Sequence, residues 1–189
     1  MENTEENRNT ENAVPEKRRG YVYLAAPFFT PVQRSLMEKA ARILRGAGYT
    51  VYVPAEHSPE FSFVPSGGGG ALPVNPRSIP NPEWGAAVFR EDLGALSHAS
   101  AVLALYCGMY SDTGTAWELG AAAALGIPAN VTDIYPGGPG SLMAFGSAAR
   151  VYRGFGDFER SCGSGNRRLV FRDGSALPDA APYAGSEWK

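Results

Sequence analysis

An apolar run from Ala101 to Leu105 leads, after a short gap, into Asp112-Thr113-Gly114-Thr115-Ala116-Trp117-Glu118-Leu119-Gly120. The order is a buried-looking strand, a glycine-containing turn and then a helix. In an open α/β sheet such a junction is the usual place for a site. Two carboxylates stand there. The spacing puts Glu118 in the first turn of the helix, three residues after Thr115, which is the pattern of a capping box. In a first turn the helix macrodipole favours an anion, and a carboxylate kept ionised is ready to act as a nucleophile. Asp112 falls in the turn before the helix, where aspartate is also common for purely local reasons.

The segments around this junction alternate between strand and helix. Tyr21–Ala26 reads as a first strand, ended by Pro27. A helix is predicted over Pro31–Arg45, with Thr30 as N-cap and Pro31 at its first position. Its apolar residues Val32, Leu36, Ala40, Ile43 and Leu44 recur at helical spacing, and Gly46 and Gly48 offer the stop. Tyr49–Val53 is a second strand. Residues 54–82 hold many prolines and four consecutive glycines, Gly67–Gly70, and read as a loop: an insertion, or a lid over a pocket. A second helix is expected over Glu83–Ser97, a third strand over Ala101–Tyr106 and a third helix over Thr115–Leu125, closed by Gly126. A fourth strand follows at Ile127–Thr132. A Gly/Pro loop, Pro136–Gly140, leads to a short helix at Ser141–Ala148 and a fifth strand at Val151 and Tyr152. Beyond Gly154 the pattern is weak, with Leu169–Phe171 as a candidate edge segment. Such alternation predicts an α/β protein with a mostly parallel sheet covered on both faces.

Composition excludes several classes. The net charge is −2 and the pI is about 5.7, so no basic surface for nucleic acid is indicated. No apolar run approaches the roughly 20 residues of a membrane span. Two cysteines, Cys107 and Cys162, show no metal-ligand spacing and suit a reducing compartment, which favours the cytoplasm. Residues 1–19 are rich in Glu, Asn and Arg and lack the apolar core of a secretory signal. They read as a disordered tail before one ordered domain over residues 20–189, carrying a Gly/Pro-rich loop at about 56–80.

Few side chains outside the junction invite chemistry. Asp92 sits beside the apolar stripe of the second helix, with Val88, Phe89 and Leu96 at helical spacing. Desolvation there would raise its pKa and suit it to acid work; the plainer alternative is a stripe-edge aspartate reaching solvent. Tyr23, in the middle of strand 1, is either a core tyrosine or a hydroxyl that orients a neighbouring carboxylate. Phe28 and Phe29 follow strand 1 and could stack on a planar ligand. His57 and His98 are isolated and read as structural or surface residues. No Gly-x-Gly-x-x-Gly follows strand 1 and there is no P-loop lysine, so no phosphate cradle is indicated.

Taken together, YVYLAAPFFT at Tyr21–Thr30, REDLGAL at Arg90–Leu96, DTGTAWELG at Asp112–Gly120 and SLM at Ser141–Met143 resemble the nucleoside 2-deoxyribosyltransferase family. The likeness covers about Tyr21–Tyr152, apart from the loop. It implies a flavodoxin-like three-layer α/β/α sandwich and transfer of deoxyribose between nucleobases, with 2′-deoxynucleosides and free bases as partners and no metal or organic cofactor. By motif match, Glu118 would attack the anomeric carbon, Tyr23 would hold Glu118, and Asp92 would protonate or hydrogen-bond the leaving base. Asp112, with Gly114 in the same turn, would lie near the sugar toward its 5′ end. Phe28 and Phe29 would line the base pocket. Ser141 and Met143 would contribute to the site of an adjacent subunit, which implies a homo-oligomer.

Some positions depart from the family pattern. Ser141 stands where many members carry Asn. Serine there is also seen in related 2′-deoxynucleoside 5′-monophosphate N-glycosidases, where it binds phosphate. Against a phosphate, Asp112 is a carboxylate where those relatives tend to have a small hydroxyl residue, and it would repel that group. The segment Pro27-Phe28-Phe29-Thr30 is aromatic and not Gly/Arg-rich. A hydrolase that gives the sugar to water, and a non-catalytic nucleotide-sensing module on the same fold, are the alternatives.

Overall fold

The computed structural model describes residues 19–57, 82–108, 112–136, 140–163 and 169–172. The expected N-terminal tail up to residue 18, most of the Gly/Pro-rich loop and the centre of the Pro136–Gly140 loop lie outside them. In chain order the elements are β1 (Arg19–Ala25), α1 (Pro31–Gly46), β2 (Tyr49–Tyr52), α2 (Pro54–His57), α3 (Pro82–Ser97), β3 (Ala101–Tyr106), α4 (Thr113–Ala124), β4 (Ala129–Asp133), α5 (Leu142–Gly146), β5 (Arg150–Arg153) and α6 (Phe155–Gly163).

The strands form a five-stranded sheet in the order β2-β1-β3-β4-β5, and every pairing is parallel. This is the doubly wound order of flavodoxin-like folds, with the chain reversing its winding between β1 and β3. β3 shows why the sheet must be covered on both sides: all six of its residues are buried. One layer is α1 and α6, packed on Val22, Leu24, Leu103, Leu105 and Tyr152. The other is α3, α4 and α5, which bring Leu96, Leu119, Ala122 and Phe145 onto Tyr23, Ala25, Val102, Ala104 and Val131.

Local signals set several boundaries. The Thr30 side chain accepts the Gln33 N–H while the Gln33 side chain accepts the Thr30 N–H, so α1 opens with a full capping box. α4 closes on Gly126 at φ +65. There the Gly126 N–H reaches the Ala123 carbonyl and the Ile127 N–H reaches the Ala122 carbonyl. That arrangement is a Schellman stop, which needs a residue free to adopt a left-handed backbone.

Five expectations need correction. β1 starts at Arg19, one residue into the expected tail. Pro54–His57 is a helical turn, not the start of a loop. α6 is hidden in the sequence because Gly154, Gly156 and Gly163 dilute its pattern, yet Phe158 is fully buried against Tyr152. α4 begins two residues before Thr115, because Asp112 and not Thr115 caps it. Residues 169–171 do not pair at a sheet edge. They cross the amino ends of β3 and β4, held by the buried Asn130 side chain. Its amide donates to the Val102 and Val170 carbonyls and its oxygen accepts the Val170 N–H at 2.7 Å. Leu169 and Phe171 then close the α1 side of the core, with Phe171 against Tyr49.

Candidate active site

Strand pleat decides which face carries the chemistry. Because side chains alternate along β1, Val22 and Leu24 enter the α1 layer while Tyr23 faces α3 and α4. The register pairs Tyr23 with Tyr52 of β2. Their rings therefore lie side by side, with centroids 5.4 Å apart at an angle of 20°. Each hydroxyl holds a carboxylate. Tyr23 donates to Glu118 Oε1 at 2.6 Å, and Tyr52 donates to Asp92 Oδ1 at 3.0 Å. The first bond joins residues 95 apart in sequence, and the second ties α3 to the end of β2.

The environment of Glu118 differs from the sequence expectation. The N-cap of α4 is Asp112, whose carboxylate accepts the Thr115 N–H at 3.1 Å. Thr115 is inside the helix and fully buried. The cap lies three residues earlier than expected, so Glu118 stands in the second turn, where the macrodipole has faded. Burial dominates instead and pushes the Glu118 carboxyl up to about 8. The charges of Asp92 and Asp112 act in the same direction, and the Tyr23 hydroxyl opposes them. Glu118 is thus held mostly neutral near pH 7, not ionised by a helix dipole. Asp92 is also raised above the usual carboxylate range, mainly by burial, with Tyr52 and His57 pulling it back. The desolvation expected from its position beside the stripe is present.

Gly114 serves the start of its own helix. A Cβ there would stand 2.7 Å from Asp112 Oδ2, so the glycine leaves room for the cap. Phe28 and Phe29 leave the carboxyl end of β1 stacked on each other at 5.2 Å. Phe28 packs toward the α1 core, while Phe29 is exposed. Ser141 is the N-cap of α5, its hydroxyl accepting the Ala144 N–H at 3.3 Å. Met143, on the same short helix, is 83% exposed. A groove of about 310 Å³ lies on the other layer, lined by Thr30, Val32, Gln33, Leu36, Cys107 and Tyr135, and Glu118 is not part of it. Among the described residues no group of His, Cys, Asp and Glu is arranged to hold a metal ion.

Two contributors are not legible in the sequence. Tyr52 reads as an ordinary strand aromatic until the β1–β2 register sets it beside Tyr23. His57 stands isolated in the sequence, yet its ring lies flat on Tyr52, centroids 4.2 Å apart at 4°. Phe89 and Trp117 meet edge to face at 5.2 Å, both partly exposed, where α3 and α4 pack together. What results is a pair of tyrosines, each gripping a half-buried carboxyl, with a third carboxylate at the start of α4. A buried carboxyl oriented by a phenol can act as a nucleophile or a proton carrier on a neutral polar substrate.

The comparisons with known proteins agree with this architecture. The family model described as nucleoside 2-deoxyribosyltransferase matches residues 22–133. The solved 2-deoxyribosyltransferase from Bacillus psychrosaccharolyticus is 32% identical, over 74% of this chain and 90% of that one, with a TM-score of 0.57. A conserved protein from Enterococcus faecalis V583 has 18% identity over 77% of this chain and 98% of its own, with a TM-score of 0.54, and speaks to the fold alone. Curated protein sequences gave no match. With more than half of the chain matched by the family model, and with the Tyr23–Glu118 and Tyr52–Asp92 pairs assembled on a flavodoxin-like sheet, this protein belongs to the nucleoside 2-deoxyribosyltransferase family.

Proposed function

We propose that the protein transfers 2-deoxyribose between nucleobases through a covalent intermediate on Glu118. The observation that carries this reading is the 2.6 Å bond from Tyr23 to Glu118. It fixes one carboxylate oxygen from outside the residue's own helix and leaves the group oriented by a partner that does not react. In the first half-reaction a Glu118 oxygen bonds to C1′ of the nucleoside. The C1′–N bond breaks, and its electron pair leaves with the base. Asp92 gives its proton to that base. In the second half-reaction a nitrogen of the incoming base attacks C1′, the ester C–O bond breaks, and the electron pair returns to Glu118. The proton lost by the incoming base passes to Asp92. The transition states are oxocarbenium-like, and a close carboxylate stabilises them as in retaining glycosidases.

The raised proton affinity of Glu118 fits this scheme. A carboxylate that is costly to ionise in the empty site gains more when a positive charge develops beside it. The two carboxyls hold one proton between them, and the proton that rests on Glu118 in the empty site passes to Asp92 before Glu118 attacks. Charge favours a nucleoside over a nucleotide. The carboxylate of Asp112, which the motif match puts toward the sugar's 5′ end, acts by its charge on Glu118, and a 5′-phosphate would be repelled by it. Phe29 for stacking the base, and Met143 for completing an adjacent subunit's pocket, belong to the same proposal.

The test is base exchange. Deoxyinosine is supplied with adenine, and a deoxynucleoside monophosphate is supplied separately, with products followed by chromatography. Deoxyadenosine is the expected product, and Glu118→Ala is expected to lower its rate by several orders of magnitude while the protein stays folded. Free base without exchange would assign hydrolysis instead. Ligand binding without turnover would assign a sensor. Near-normal rates in Glu118→Ala would remove Glu118 from the nucleophile's role.

A further inference from the structure

His57 has no place in the proposed reaction, yet it completes a column of three rings, Tyr23, Tyr52 and His57. The contact between His57 and Tyr52 is closer and flatter than that between the tyrosines, 4.2 Å and 4° against 5.4 Å and 20°. Tyr52 is buried, and its hydroxyl ends on Asp92. An exposed His57 therefore covers the outer face of the phenol that grips the proposed proton donor. We infer that His57 is a positioning residue for Asp92: stacked on Tyr52, its ring holds the phenol that grips Asp92 in place and, when protonated, sets a positive charge against that phenol. The inference rests on the deoxyribosyl-transfer reading for its meaning, although its geometry stands without it.

The physical basis is a cation over an aromatic face. An imidazolium stacked on a phenol is attracted by the ring's negative face and draws electron density from it. A phenol so polarised is a better donor to a carboxylate. The same charge also favours ionised Asp92 directly, and His57 does lower the Asp92 pKa. The charged and titratable groups around this column can be named. On α3, Glu91 opposes His57 by raising Asp92, and Asp92 in turn acts on Glu118. On α2, Glu56 is engaged by Arg45 of α1 at 2.6 Å. On β1, Tyr21 and Tyr23 flank Tyr52.

The decisive measurement is a titration of Asp92 in the full chain, by NMR with ¹³C-labelled aspartate, in the native protein, His57→Phe and His57→Arg. Phenylalanine keeps a stacked ring without charge. Arginine keeps both a planar stack and a permanent charge. In His57→Phe the Asp92 midpoint should rise by on the order of 0.5 pH unit, about threefold in its ionisation constant, a size set by solvent screening of an exposed charge. In His57→Arg it should return to or below the native value. The acid limb of the base-exchange rate should move with it. An unmoved midpoint in His57→Phe, or a His57→Arg titration no different from that of His57→Phe, overturns the inference. Absence of base exchange in the native protein would count against the proposed function alone, because the titration needs no turnover.

Discussion

Replacing Glu118 by Gln should stabilise the protein at alkaline pH while removing its activity. In an unfolded chain the Glu118 carboxyl titrates at its ordinary value of 4.5, and in the fold it titrates at about 8. Between those values the native state binds more protons than the unfolded state, so stability falls as pH rises. The contribution of the protonated carboxyl is complete below about 4.5 and gone once pH has risen past about 8. A gap of about 3.5 corresponds to an upper bound on the order of 5 kcal/mol. Partial exposure of the side chain and relaxation around it bring the expected difference to roughly 2–3 kcal/mol. Glutamine has nearly the same shape, can still accept from Tyr23, and never ionises. Urea unfolding of the native protein and of Glu118→Gln at pH 5 and at pH 9 measures the effect. At pH 5 the two should lie within about 1 kcal/mol of each other, and the variant should be the more stable by roughly 2–3 kcal/mol at pH 9, equivalent to about 4–12 °C in Tm. If the two proteins keep a constant difference from pH 5 to pH 9, Glu118 is not held neutral by the fold, and the account of its chemistry fails with it.

Other outcomes follow from the same geometry. Tyr23→Phe removes a hydrogen bond to a group that must become charged, worth about 1.5–3 kcal/mol, so base exchange at pH 7 should fall by roughly 10–100-fold with the fold retained; an unchanged rate would make Tyr23 a packing residue. The pH profile of kcat/KM should be a bell whose alkaline limb lies near 8, where the proton shared by the two carboxyls is lost; a rate that climbs through pH 8 to a plateau would show that Glu118 needs no protonated partner. Asn130→Ala leaves the Val170 N–H and the Val102 and Val170 carbonyls without their side-chain partner. It should cost about 2–4 kcal/mol in urea unfolding, with little effect on the rate of the remaining folded enzyme.

The sequence by itself determined whatever depends on neighbours along the chain. The strand–helix alternation, the Thr30 cap, the Gly126 stop and the all-apolar β3 are each written in a few consecutive residues, because period and capping act over one or two turns. The residue types at 23, 92, 112 and 118 also sufficed to suggest the family. Tertiary structure decided what those residues do. Only the β1–β2 register sets Tyr52 beside Tyr23, only the packing of α4 on the sheet delivers Glu118 to a phenol 95 residues away, and burial there, together with the nearby charges of Asp92 and Asp112, lifts its carboxyl to about 8. Even the start of α4 turned on whether Asp112 or Thr115 served as the cap. Thr115 was drawn into the core, and burial outweighed the local capping pattern. Proton affinity is a property of how much water a side chain has lost, and that is fixed when distant segments close over it.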